Sequence, residues 1–210
     1  MAERPETDRR RALRLAPVSR ETEHRLAAYV GLLGRWRKAT NLISESSFDS
    51  VWTRHIADCA QLIPLAPNAR RWLDMGSGAG FPGLVIAIQL ADVPDAVVHC
   101  VESDQRKCAF LREVARVTGS PARIHAARIE TIDPLRLGVV DAVTARAFAP
   151  LPKTLGLANV WLEQGAIGVF PRGRSVDNQL KTVVLGSGLA VEILPSAVDA
   201  NAGILRVRKA

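Results

Sequence analysis

Residues 72–84 read WLDMGSGAGFPGL. An apolar stretch closes on an acid, Asp74. Gly76, Gly78, Gly80 and Gly83 then fall within eight residues, and the apolar run VIAIQLA starts directly afterwards. Such a pattern is a strand passing through a tight turn into a helix. Glycine at the turn lets the backbone reverse and approach a ligand without a Cβ in the way.

The spelling narrows the ligand. A Walker phosphate loop needs Gly-Lys-Ser/Thr, and no lysine occurs between residues 39 and 106, which argues strongly against a triphosphate. The dinucleotide fingerprint G-x-G-x-x-G is met by Gly76 and Gly78, but its third position is Phe81 and the glycine comes one residue early, at Gly80. Pyrophosphate needs the helix N-terminus close and uncluttered. Phe81 and Pro82 obstruct that approach, yet could wall a smaller nucleoside ligand. The resulting D-x-G-x-G-x-G resembles motif I of S-adenosylmethionine-dependent methyltransferases.

Outward from the turn, strands and helices alternate. Strands are expected at 70–75, 96–102, 122–126, 139–145 and 166–171, and helices at 81–91, 104–118, 151–162 and 175–185. Segments 189–194 and 204–208 are expected to pair as late antiparallel strands. This alternation implies an α/β fold, a mostly parallel sheet with crossover helices on both faces, whose ligands bind at the carboxyl ends of the strands. Upstream, a helix starting near Ser19 carries Leu26, Tyr29, Val30 and Leu33 on one face, with Trp36 extending the stripe. TNLISESS breaks it, and a second helix is expected over 48–63. Residues 1–18, polar and Arg-rich, read as a disordered basic arm. The expected organisation is arm 1–18, helical cap 19–67 and core 68–210, cap and core forming one structural unit.

The second strand, VVHCVES, ends in Glu102, 26 residues after Gly76. An acid there can accept hydrogen bonds from both ribose hydroxyls. NAD and S-adenosylmethionine share this device, so Glu102 supports a nucleoside without choosing between them; the bland alternative is an exposed strand-end glutamate. By resemblance to S-adenosylmethionine methyltransferases, which usually place a side chain by the adenine edge after the third strand, Ile129 could pack on the ring and Glu130 could approach its amino group or hold the loop; both could equally be ordinary turn residues.

The net charge of +7, of which residues 1–40 carry +5, suits a polyanionic partner such as nucleic acid. No apolar run approaches the length of a membrane span, and the N-terminus lacks the apolar core of a secretory signal. Cys59, Cys100 and Cys108, an odd and unclustered set, argue against a disulfide framework or a zinc site and point to a reducing cytoplasm.

WLDMGSGAGFPG, VESDQRKCAFLREVAR, AARIE, DAVTARAFAPL and GVFPRG resemble, in that order, the successive motifs of the RsmG (GidB) family, and YVGLLGRWRKATNLIS and RHIADCAQLIPL resemble its N-terminal signatures. The resemblance covers roughly residues 22–208. It implies a Rossmann-like methyltransferase using S-adenosylmethionine to methylate N7 of one guanine in small-subunit ribosomal RNA, free or in the assembled subunit, by a cytoplasmic monomer. By motif match it puts cofactor contacts on Gly76, Phe81, Ile129, Glu130 and Arg146. Arg37, Cys59 and Arg172 stand where the family usually carries Asn, Ser and Lys.

Guanine N7 offers an in-plane lone pair and no proton to lose, so alignment is the main requirement and no catalytic dyad is expected. No metal site is expected either. Arg146 could bind cofactor or an RNA phosphate. Arg54, Lys153 and Arg172 are candidate RNA contacts. His55 and Asp58, three apart on one helix face, can hydrogen-bond as a clamp between cap and core. Trp36 and Trp52 read as core rather than as a base-stacking platform. The rivals are a nicotinamide oxidoreductase, a small-molecule methyltransferase and a non-catalytic RNA-binding module on the same fold. The first is disfavoured by the offset glycine and by the lack of a Tyr-x-x-x-Lys pair.

Overall fold

A computed structural model describes residues 6–173 and 188–210. Five parallel strands form the body of one sheet: β1 (Arg71–Met75), β2 (Val97–Glu102), β3 (Ala122–Ala126), β4 (Ala142–Thr144) and β5 (Ile167–Arg172). β6 (Leu189–Pro195) and β7 (Gly203–Lys209) complete it, with β7 antiparallel to both β5 and β6. The order is β3-β2-β1-β4-β5-β7-β6, so the chain reverses direction beside β1. That switch point opens a crevice at the carboxyl ends of β1 and β4.

Strand period and helix packing divide the core into two layers. Trp72 of β1 packs on one face and Leu73 and Met75 on the other. The first face is covered by α5 (Gly83–Gln89) and α6 (Gln105–Thr118). Every residue from Gly83 to Ile88 is buried. α5 is apolar all round because α2 (Arg20–Thr40) and α4 (Asp58–Ala60) cover its outer side. α2 buries Leu26, Tyr29 and Leu33 completely, each side chain contributing about 1.5–3 kcal/mol. The other face is covered by α8 (Leu151–Glu163), with the short α7 (Pro134–Leu137) beside it.

Most expected elements are present within a residue or two. β4 is shorter, 142–144 rather than 139–145, because α7 and Gly138 occupy the approach and Val139 is exposed. The helix expected at 175–185 lies outside the described residues. The expected helix at 48–63 is three pieces: α3 (Glu45–Asp49), a π-helical turn (Trp52–Ala57) and α4. α3 starts early because Ser44 caps it, its hydroxyl accepting from the Ser47 amide at 3.2 Å.

The basic arm is corrected more strongly. α1 (Asp8–Leu15) is a helix docked on the π-helical turn. The Asp8 carboxylate accepts the amides of Trp52 (2.9 Å) and Thr53 (3.2 Å), capping that turn from another helix. Ala12 is buried, and the Arg9 guanidinium sits 4.9 Å over the Trp52 ring. Polar composition predicted disorder here because it does not reveal that one acid, one alanine and one guanidinium find tertiary partners. The two tryptophans are also not a pair: Trp36 packs on Phe110, ring centroids 5.8 Å apart, while Trp52 lies under Arg9.

Candidate functional site

The glycine turn leaves β1 and is tied to its neighbour: the amides of Gly76 and Ser77 both donate to the Val101 carbonyl at 2.9 Å. Gly76 has φ +73°, and a Cβ there would lie 2.3 Å from the Phe148 ring, so only glycine fits. Asp74 is wholly buried and its Oδ2 accepts the Gly83 amide at 3.0 Å, fastening the start of α5 to the end of β1. Burial pushes the Asp74 carboxyl up to about 7, against the opposing hydrogen bonds of Ser77 and Gly83.

Glu102 ends β2 facing this turn. Its Oε2 accepts the Gly78 amide at 2.9 Å and its Oε1 accepts the Asp104 amide at 2.8 Å. Two backbone donors hold the carboxylate in place and still leave lone pairs for a ligand. It is buried rather than a solvated strand end.

A cavity of about 490 Å³ opens above these groups, within the usual range for a small-molecule site. It brings together Gly76, Gly78, Phe81, Glu102, Ile129, Glu130, Arg146 and Lys153. Ile129 is buried and supplies an apolar wall. Glu130 pairs with Lys153 at 3.6 Å, both exposed. Arg54 and Arg172 lie outside it, in a neighbouring cavity. The sequence reading missed Leu42, Ile43 and Phe148, which also line the first cavity. Leu42 and Ile43 belong to the NLIS segment, read there as a helix break and as the end of an N-terminal family signature, not as part of the site.

The N-terminal helices close one side. His55 stacks on Phe81 with centroids 4.6 Å apart and planes 16° apart. Arg146 can only donate, so its 2.9 Å contact makes His55 Nδ1 the acceptor and leaves the proton on Nε2. Burial, reinforced by the Arg146 and Arg54 cations, pushes the His55 imidazole down to about 3, so the ring is neutral. The expected His55–Asp58 hydrogen bond is replaced by a bridge through Arg146. Its guanidinium contacts His55, the Arg54 carbonyl (3.1 Å) and Asp58 (3.4 Å). Arg146 therefore joins β4 to the cap. Burial raises the Asp58 carboxyl despite that cation, and pushes the neighbouring Cys59 thiol up to about 12. All three cysteines are free and buried.

The profile described as GidB, rRNA small subunit methyltransferase G, matches residues 22–184. The chain belongs to the rRNA small subunit methyltransferase G family. A relative from Methylobacterium sp. (strain 4-46), named Ribosomal RNA small subunit methyltransferase G, is 48% identical over 202 residues, covering 96% of this chain and 95% of the relative. A relative of the same name from Bradyrhizobium diazoefficiens is 52% identical over 174 residues, 82% of this chain and 66% of the relative. Among solved structures, cofactor-bound Rv0187 from MTB superposes with a TM-score of 0.64 at 15% identity, covering 99% of each chain. That likeness shows the same α/β fold, and with the sheet order above and the family match the fold is that of a Rossmann-like methyltransferase.

Within the family frame, two of the departures have structural partners. Arg37 bonds Glu45 at 2.6 Å and covers the Phe48 ring at 4.3 Å, so it closes the α2–α3 corner. Cys59 is buried against Arg146. No helix among the described residues is long and apolar enough to cross a membrane.

Proposed function

We propose that this protein transfers a methyl group from S-adenosylmethionine to N7 of a guanine in small-subunit ribosomal RNA. The observation that carries the reading is the Glu102 carboxylate, clasped by the Gly78 amide at the strand-switch crevice of a methyltransferase-family chain.

The residues present fit the cofactor. Glu102 would hold the ribose hydroxyls, Ile129 would lie against the adenine face, and Glu130 stands at its edge. Gly76, with no Cβ, leaves room beside the Phe148 ring. Phe81, braced by His55, walls the cavity near Arg146. When bound, S-adenosylmethionine supplies an electrophilic methyl on a sulfonium centre. The protein's part is to orient the acceptor in line and exclude water, because guanine N7 needs no proton removed. Lys153 and Arg54 are proposed RNA phosphate contacts.

The test is a labelled methyl-transfer assay on small subunits lacking the modification, followed by nucleoside analysis. Label in 7-methylguanosine is expected. Label in another nucleoside overturns the N7 assignment. Cofactor binding without transfer points to another acceptor, and neither binding nor transfer overturns the reading.

A further inference from the structure

A second cavity, of about 720 Å³, adjoins the first, and Arg146 and Ala147 line both. Four arginines from separate parts of the chain line it: Arg11 of α1, Arg54 of the π-helical turn, Arg146 after β4 and Arg172 at the end of β5. Converging guanidinium groups repel one another and create a local positive potential that favours an anion.

Asp8, Asp58 and Asp199 share these walls, so four arginines against three acids leave a small positive excess. Asp8 accepts the Trp52 and Thr53 amides, Asp58 bridges to Arg146, and Asp199 accepts the Asn201 amide at 2.9 Å. Arg11 and Arg54 are exposed and their side chains make no ion pair among the described residues. Arg172 is half-buried. Its Nη1 donates to the Ala149 carbonyl at 3.3 Å, while Nε and Nη2 are buried with no partner among the described residues.

Those two nitrogens share one edge of the guanidinium, the fork that grips two oxygens of one anion. Arg116 uses the same edge on Glu113, at 2.9 and 2.8 Å. Buried donors of a cation are unfavourable when unmatched, so a residue that lines the cavity with such an edge gains when a small shift lets an acceptor reach it. Ala147, between the two cavities, has φ +50°, a conformation a non-glycine residue holds only when its surroundings impose it.

We propose that the second cavity seats a backbone phosphate of the acceptor RNA, gripped by the Nε/Nη2 edge of Arg172 with Arg11 and Arg54 at its rim. Arg146 and Ala147 form the wall that this cavity shares with the cofactor cavity. α1 thereby becomes part of the RNA site, although the family match begins only at residue 22. Arg11 reaches the cavity because the Asp8 bonds to Trp52 and Thr53 hold α1 there. The proposal rests on the rRNA methyltransferase reading and adds to it where the strand is held.

The experiment compares the full chain with Arg172→Gln, Arg172→Lys, Arg11→Gln and Arg14→Gln. Arg14→Gln removes a charge from the same helix but from a residue that pairs with Glu6 and does not line the cavity. Three readouts are taken: S-adenosylmethionine affinity by calorimetry, binding of unmodified small-subunit rRNA across a salt series, and KM for methyl transfer. Arg172→Gln and Arg11→Gln should leave cofactor affinity within about twofold and lower the log–log salt slope of RNA binding by about one each. KM for RNA should rise about tenfold in Arg172→Gln and less in Arg172→Lys, which keeps the charge and loses the fork. Arg14→Gln should change neither.

Unaltered slope and KM in Arg172→Gln and Arg11→Gln, with wild-type transfer intact, overturn the seat and leave the functional reading standing. Equal effects from Arg14→Gln reduce it to bulk charge and overturn it too. If inorganic phosphate raises the melting temperature of the wild type but not of Arg172→Gln, while RNA binding is the same in both, the cavity takes a free anion and the RNA assignment falls. If wild-type RNA gains no methyl yet the slope still drops, the phosphate seat holds and the methyltransferase reading fails.

Discussion

The phenolic oxygen of Tyr29 donates to the backbone carbonyl of Ala79 at 2.6 Å, joining α2 to the middle of the glycine turn across fifty residues of chain. The ring is wholly buried and tilted against Phe81, centroids 5.4 Å apart. Burial raises the phenol well above its ordinary range, so it remains a donor at any working pH. Tyr29→Phe keeps the packing and strands the Ala79 carbonyl. It should cost about 1–2 kcal/mol in a denaturant melt and weaken cofactor binding several-fold by calorimetry. Lost stability with unchanged affinity would mean that α2 supports the fold without shaping the turn.

Gly76→Ala should be the most damaging small change in the site. The new Cβ meets the Phe148 ring at 2.3 Å, and φ +73° is strained for alanine. A loss of about 2–3 kcal/mol and at least a tenfold drop in cofactor affinity are expected. Adding Phe148→Ala should relieve the clash but not the backbone strain, giving partial recovery in a double-mutant cycle.

Asp74 predicts a pH dependence. Its folded-state carboxyl is raised to about 7 from 3.8. The folded state then binds the proton more tightly than the unfolded chain, so this contribution to stability is fully present below pH ~4 and declines as pH rises through ~7. Asp74→Asn has no proton to lose and keeps an oxygen for the Gly83 amide. Its melting temperature should vary less than that of the wild type between pH 5 and 7.5. Parallel curves would show that another group governs that range.

Arg146→Ala removes the only donor to His55 Nδ1 seen among the described residues, and the cation facing Asp58. A loss of about 2–3 kcal/mol is expected from the buried groups left behind. Without that cation the His55 imidazole should titrate above its present value of about 3, which NMR of the ring protons would register. Cofactor affinity should fall; an unaltered affinity would assign Arg146 to the acceptor side instead.

Much of the site was legible because its parts are local. The turn from Asp74 to Gly83 sits between two elements with clear apolar runs, and Glu102 sits at the end of another. Both can therefore be located from one-dimensional spacing. The family motifs added Phe81, Ile129, Glu130 and Arg146. Other features left little or no one-dimensional signal. Tyr29 reads as one more apolar position on a helix face, and nothing in its surroundings points to a carbonyl fifty residues away. His55 and Asp58 share a helix face, but their common partner comes from β4.

The chain alone sufficed for the order of elements, the parallel sheet, the glycine turn and the acid at the end of β2, since these follow from hydrophobic period, turn chemistry and strand-end position. Tertiary structure decided the rest. It folded α1 out of a stretch that composition reads as disordered, re-phased the helix near Trp52 into a π-helical turn, and put Arg54 and Arg172 in the second cavity rather than the first. Each depends on long-range contacts whose free energy exists only once distant segments meet: Asp8 on the Trp52 amide, Tyr29 on Ala79, and Arg146 between His55 and Asp58. Local pattern records what a segment can become by itself. Which partners satisfy its remaining donors and charges is settled only by packing.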